Sequence, residues 1–131
     1  MASGFTDIVE IYDLRENRWK VFSLGLSTPR SHMSIVCSQK DRAIIVGGLD
    51  DHESETNLVE EIDFLKVQNA VVKLKEMKEC RARPSAFLVN DAIYVLSSST
   101  NTKSQQLLSG EKYLMKEDQW KQFEAKNTLL S

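Results

Sequence analysis

The chain has 131 residues, with 17 Lys plus Arg, 19 Asp plus Glu and a formal net charge of -2. That size suits one domain or part of one, and with no excess of Lys and Arg to neutralise phosphates a nucleic-acid footprint is not expected. Hydrophobic residues at 41% and charged residues at 27% fit a folded globular chain rather than a disordered one, and the longest aliphatic run, Ala43 to Val46, is far short of the roughly 20 residues a membrane helix needs.

In chain order, residues 1–7 contain no apolar run. Val9 and Ile11 then alternate with Glu10 and Tyr12, which predicts a strand over 9–13. Arg15-Glu16-Asn17 is a polar turn, and a second strand follows over 19–22. Further runs at 32–37, 43–47, 59–64, 70–74, 85–89, 92–96, 112–115 and 119–123 are short and rich in β-branched or aromatic residues, the pattern of strands. Ser38-Gln39-Lys40-Asp41 and Asn90-Asp91 serve as hairpin links. Helical spacing occurs only near 71–78, and Val71-Val72 at its start argues against a helix there. The expectation is an all-β chain of about ten strands.

The sequence repeats internally. Glu10-Ile11-Tyr12 returns as Glu111-Lys112-Tyr113, and Trp19 returns as Trp120, both 101 residues on. A weaker middle copy has Glu60-Glu61-Ile62, with Asn69 where a Trp is expected. Arg30 and Arg81 correspond at an offset of 51, and Ile44-Ile45-Val46 is matched to Ile93-Tyr94-Val95 at 49. A period near 50 residues with four short strands is the signature of a propeller blade. The set Glu-x-Tyr-Asp (Glu10 to Asp13), Asn-x-Trp (Asn17 to Trp19), Pro-Arg-x-His (Pro29 to His32) and the strand ending in Gly47-Gly48 resembles the kelch repeat. The second copy departs from it at Ile62, Asn69 and Leu96-Ser97, and the third shows only its Glu-x-Tyr and Trp half.

The resemblance implies kelch-type propeller blades, four-stranded antiparallel sheets in an incomplete ring. Residues 1–22 are then the outer hairpin of a blade, 23–74 and 75–124 are two blades, and 125–131 is a loop or tail. A ring needs about 4–8 blades, so the expectation is a fragment, a short isoform, or a subunit whose ring is completed by another chain or by missing blades. Tyr12, Trp19, Tyr113 and Trp120 are expected to be buried between or against blades. Gly47 and Gly48 are expected where a side chain would meet neighbouring backbone or an aromatic ring.

The sequence holds no constellation for catalysis. Ser31 and His32, as neighbours on one strand, are expected to face opposite sides. Ser109-Gly110-Glu111-Lys112 lacks the elements of a phosphate loop. Cys37 and Cys80 form no CxxC pair and are expected as small packing groups in a reducing, cytoplasmic compartment. His32 is expected to pack and hydrogen-bond at the start of its strand. His52 lies in the acidic Asp50-Asp51-His52-Glu53, whose spacing fits no EF-hand loop, and no metal or cofactor is expected. Seven carboxylates and no Lys or Arg lie within 50–63, and six basic residues within 66–83.

In a propeller the connections 49–58 and 97–109, with 23–29 and 75–82, emerge on one face, and the resemblance implies that this face binds a protein partner. Asp51, His52, Arg30, Arg81 and Arg83 are the candidate contacts, the arginines as bidentate donors to acidic groups. The leading reading is a non-catalytic interaction module, in a family whose members select substrates for ubiquitin ligases beside BTB or F-box domains, or organise actin. The alternatives are a fragment of a propeller enzyme or sugar-binding protein, or a structural subunit of a larger assembly. No membrane or nucleic-acid partner is expected.

Overall fold

The computed structural model describes residues 8–23, 29–66, 70–100 and 106–124. Within them the chain is all-β, with ten strands and no helix. β1 (Ile8–Asp13) and β2 (Arg18–Ser23) form a two-stranded ribbon. β3 (Ser34–Gln39), β4 (Arg42–Val46), β5 (Val59–Asp63) and β6 (Val71–Lys73) form a first four-stranded antiparallel sheet. β7 (Ser85–Val89), β8 (Ala92–Thr100), β9 (Gln106–Leu114) and β10 (Gln119–Glu124) form a second. Each sheet is a meander with strands adjacent in chain order. No helix among the described residues is long and apolar enough to cross a membrane.

The turns explain the chain reversals. Asn90-Asp91 closes β7 onto β8 in two residues with Asn90 at φ 55°, a left-handed conformation that Asn tolerates better than most residues. Asn17 and Asp118, equivalent across the repeat, sit at φ 52° and 51° at the ends of the β1–β2 and β9–β10 turns. In the ribbon, Asp13 accepts hydrogen bonds from the Arg15 and Glu16 amides. Lys20, with those amides, holds the Asp13 carboxyl down at about 2.

The sheets pack face to face. Val36, Ile44, Val46 and Val59 of the first meet Ile93, Val95, Tyr113 and Trp120 of the second in one buried cluster, with Met77 from the connection between the sheets. The first strands, β3 and β7, come into contact. Trp120 Nε1 donates to the Lys75 carbonyl at 2.7 Å, tying β10 to the end of the first sheet. The opposite face of the first sheet is buried too, at Ile45 and Ile62.

Four expectations are corrected. First, the 49-residue offset between the second strands becomes 50. Ile45 opposes Glu60 while Val95 opposes Glu111, so Ile45 corresponds to Val95 and Ala43 to Ile93. A ladder irregularity between Cys37 and Gln39 places one extra residue in the β3–β4 connection. Because side chains alternate, that one-residue slip exchanges the two faces of β4. Second, the expected loop over 97–109 is largely hairpin, since β8 and β9 remain paired out to Thr100 and Gln106. Third, Tyr113 and Trp120 are buried but Tyr12 is exposed and Trp19 is 66% exposed. Both pairs stand opposite each other in the same register. The difference is the neighbour: Trp120 is covered by the first sheet, whereas β1 and β2 pair only with each other among the described residues. Cys37 and Cys80 are exposed rather than packing groups.

Gly47 and Gly48 lie at φ 64° and 107°. A Cβ on Gly47 would sit 2.7 Å from the Arg81 carbonyl oxygen, and one on Gly48 would sit 2.6 Å from that of Ser31. Backbone cannot swing aside as a side chain can. Gly48→Ala is therefore expected to destabilise the chain by about 1–3 kcal/mol, read as a lower urea midpoint; an unchanged midpoint would show that the turn relaxes freely.

Candidate protein-interaction face

Two long connections, 47–58 between β4 and β5 and 74–84 between β6 and β7, are knitted together at one end of the sheets. The Gly48 amide donates to the Arg81 carbonyl and the Arg81 amide to the Thr56 carbonyl, each at 2.9 Å. Met77 N donates to the Asn57 carbonyl, and Asn57 Nδ2 returns a bond to the Met77 carbonyl. The loops are thus a fixed surface rather than loose ends.

Beneath it lie two copies of one ionic device. Arg30 donates to Glu60 Oε1 at 2.7 Å and to the carbonyls of Gly47 and Leu58 at 2.7 and 3.0 Å, with both side chains buried. Burial pulls the Arg30 guanidinium below its ordinary value, and Glu60 offsets part of that. Arg81 donates to Glu111 Oε2 from Nε and Nη2, and to Ser97 Oγ and the Ser109 carbonyl. Glu111 also accepts the Lys78 amide at 2.7 Å and the Glu79 amide at 3.1 Å. Position by position the copies match: Arg30 with Arg81, Glu60 with Glu111, Gly47 with Ser97, and Leu58 with Ser109.

Arg30 and Arg81 are consequently not the surface donors expected of them. Each reaches from the start of its sheet to a buried glutamate on the third strand, and Arg81 meets in addition the half-exposed Glu79 at 3.2 Å. Glu60 and Glu111 were not singled out as their partners. The signal was available, because both glutamates and both arginines share an offset of 51.

Asp51, His52 and Arg83 are exposed on this face. Asp50 shapes the loop tip by accepting the amides of His52 and Ser54 at 2.9 Å, bonds that hold its carboxyl below the usual carboxylate range. His52 Nε2 lies 3.7 Å from Asp51, with both side chains in solvent. Cys80 is exposed, yet partial desolvation, with the Glu55 and Glu76 carboxylates, pushes its thiol up, away from the thiolate that nucleophilic chemistry needs. Ser31 Oγ lies 3.0 Å from His32 Nδ1, contrary to the expectation of opposite faces. His32 sits before β3 at φ 55°, where strand alternation does not apply. Among the described residues no ion pair reaches His32, and no group of three or more His, Cys, Asp or Glu is placed to hold a metal.

What remains exposed is mixed in charge: Asp51, Glu53 and Glu55 on one connection, Lys78 and Arg83 on the other. Rigid loops carrying exposed charge can present a complementary surface to a macromolecule. No protein-family model matches the chain, and no curated protein matches it.

Proposed function

We propose that the chain is a kelch-type β-propeller segment acting as a non-catalytic protein-interaction module, with the partner docking on the face built by 47–58 and 74–84. Kelch modules suggest the setting, substrate recognition for a ubiquitin ligase or cytoskeletal scaffolding in the cytoplasm. The observation that carries the reading is the twice-repeated unit. Two consecutive four-stranded meanders stack face to face with their first strands in contact, each locked by an Arg to a third-strand Glu. Such stacking of like sheets is how blades bury both faces.

The partner fits as a chain with a basic segment, set against the exposed Asp51, Glu53 and Glu55, and an acidic group for Arg83. Affinity capture should compare the wild-type chain with the double variant Asp51→Lys/Glu53→Lys and with Arg83→Glu. The expected result is a protein retained by the wild type and lost from both variants while their melting temperatures stay within a degree or two. Retention unchanged in both variants would place recognition elsewhere.

A further inference from the structure

The interface between the two sheets has its two halves repeated toward opposite ends of the chain, where no other sheet packs on them among the described residues. Inside, Tyr113, Met115 and Trp120 of the second sheet pack against the first. Their equivalents in the ribbon, 101 residues earlier, are Tyr12, Leu14 and Trp19. All three are exposed, Leu14 at 85%. The ring pair is conserved in form: Tyr12 and Trp19 have centroids 5.2 Å apart, Tyr113 and Trp120 4.9 Å.

The other half recurs at the far end. On the first sheet the receiving face is Val36, Ile44 and Val46. The ladder places Phe87, Tyr94 and Leu96 at those positions in the second sheet, on the face turned away from the first. There Phe87, Tyr94 and Phe123 form an aromatic row with centroid spacings of 5.8 and 6.0 Å, and Phe87 is 44% exposed. A large apolar row on an open sheet face is the surface type that marks an interaction site.

We infer that this chain associates head to tail with a second copy of itself, the Tyr12–Leu14–Trp19 surface of one copy seating on the Phe87–Tyr94–Leu96 face of the next. The occupant follows from the chain itself: the internal interface shows which surface type each end receives, and the same chain carries both. The contact is heterologous, so copies add in one direction and give a ring if the rotation closes and an open filament if it does not. The inference rests on the blade reading but not on the proposed partner face, which lies at the loop end of the sheets and stays free.

Sedimentation velocity on the full chain across the micromolar range tests it, with Trp19→Glu and Phe87→Glu. The wild type should grow beyond monomer with concentration. Each variant alone should be monomeric, with association weakened by at least about tenfold. An equimolar mixture of the two should form a heterodimer and stop there, because one intact end of each meets the other and the remaining ends are blocked. If Phe87→Glu lowers the melting temperature, Val89→Glu on the same exposed face replaces it. A wild-type chain that stays monomeric with native sheet content overturns the inference. So does a mixture of folded variants that stays monomeric, or a Phe87→Glu chain that associates like the wild type. In each of those cases the capture experiment at Asp51, Glu53 and Arg83 still decides the interaction reading by itself.

Discussion

Glu111→Ala should destabilise the chain by about 3–5 kcal/mol, the cost of leaving one member of a buried ion pair without its partner. The Arg81 and Glu111 side chains are 1% and 0% exposed. Removing the carboxylate takes away the buried counter-charge of the guanidinium, leaving it Ser97, Ser109 and the half-exposed Glu79 carboxylate at 3.2 Å. It also orphans the amides of Lys78 and Glu79, which Glu111 accepts at the entrance to the second sheet. Against a typical domain stability of about 5–15 kcal/mol, that is a large share. The pair itself is a different quantity. Replacing both members, Arg81→Met with Glu111→Leu, removes the charge and its desolvation penalty together, so the double variant should lose less than Glu111→Ala alone. Guanidinium denaturation of the wild type, the single and the double variant distinguishes these cases. A double variant that falls further than the single would mean that the pair adds net stability rather than locking the loop to the strand.

The strands were legible because each apolar run is bounded by residues whose backbone preferences force a turn. Asn90-Asp91 marks the β7–β8 reversal to the residue, and 85–89 coincides with β7. The first-sheet register was less legible. Ser38-Gln39-Lys40-Asp41 marks a longer link than Asn90-Asp91 but does not give the ladder irregularity between Cys37 and Gln39, and matching identities alone then misplaces β4 by one residue. The ionic device escaped for another reason. Arginine on a loop and glutamate on an alternating strand each resemble surface residues, and only their common spacing of 51 shows that they travel together. Of the candidate contacts, Asp51, His52 and Arg83 are exposed. Arg30 and Arg81 turn inward because a carboxylate waits there.

The two tryptophans of the repeat should respond oppositely to truncation. Trp120→Ala should cost about 3–5 kcal/mol, the range for removing a buried large aromatic. Trp120 is 4% exposed, packs in the cluster between the sheets and donates to the Lys75 carbonyl, so its loss opens a cavity and leaves that carbonyl unpaired. Tyr113 would feel the change directly. Its ring lies 4.9 Å from that of Trp120, and its hydroxyl, pushed up by burial and by its 2.5 Å bond to Asp118, is held in the protonated form that donates. Trp19→Ala, at the matching position of the ribbon, should change stability by less than about 0.5 kcal/mol, the usual effect of a surface substitution. The Tyr partner and the strand register are the same at both positions, so the contrast reports chiefly what the covering sheet contributes. Thermal melts should be run at concentrations where sedimentation shows monomer, because copies that associate would cover Trp19 and narrow the gap. Equal losses for the two variants in the monomer would mean that the ribbon is packed as tightly as the second sheet, and that the exposed Tyr12–Trp19 surface does not exist in solution.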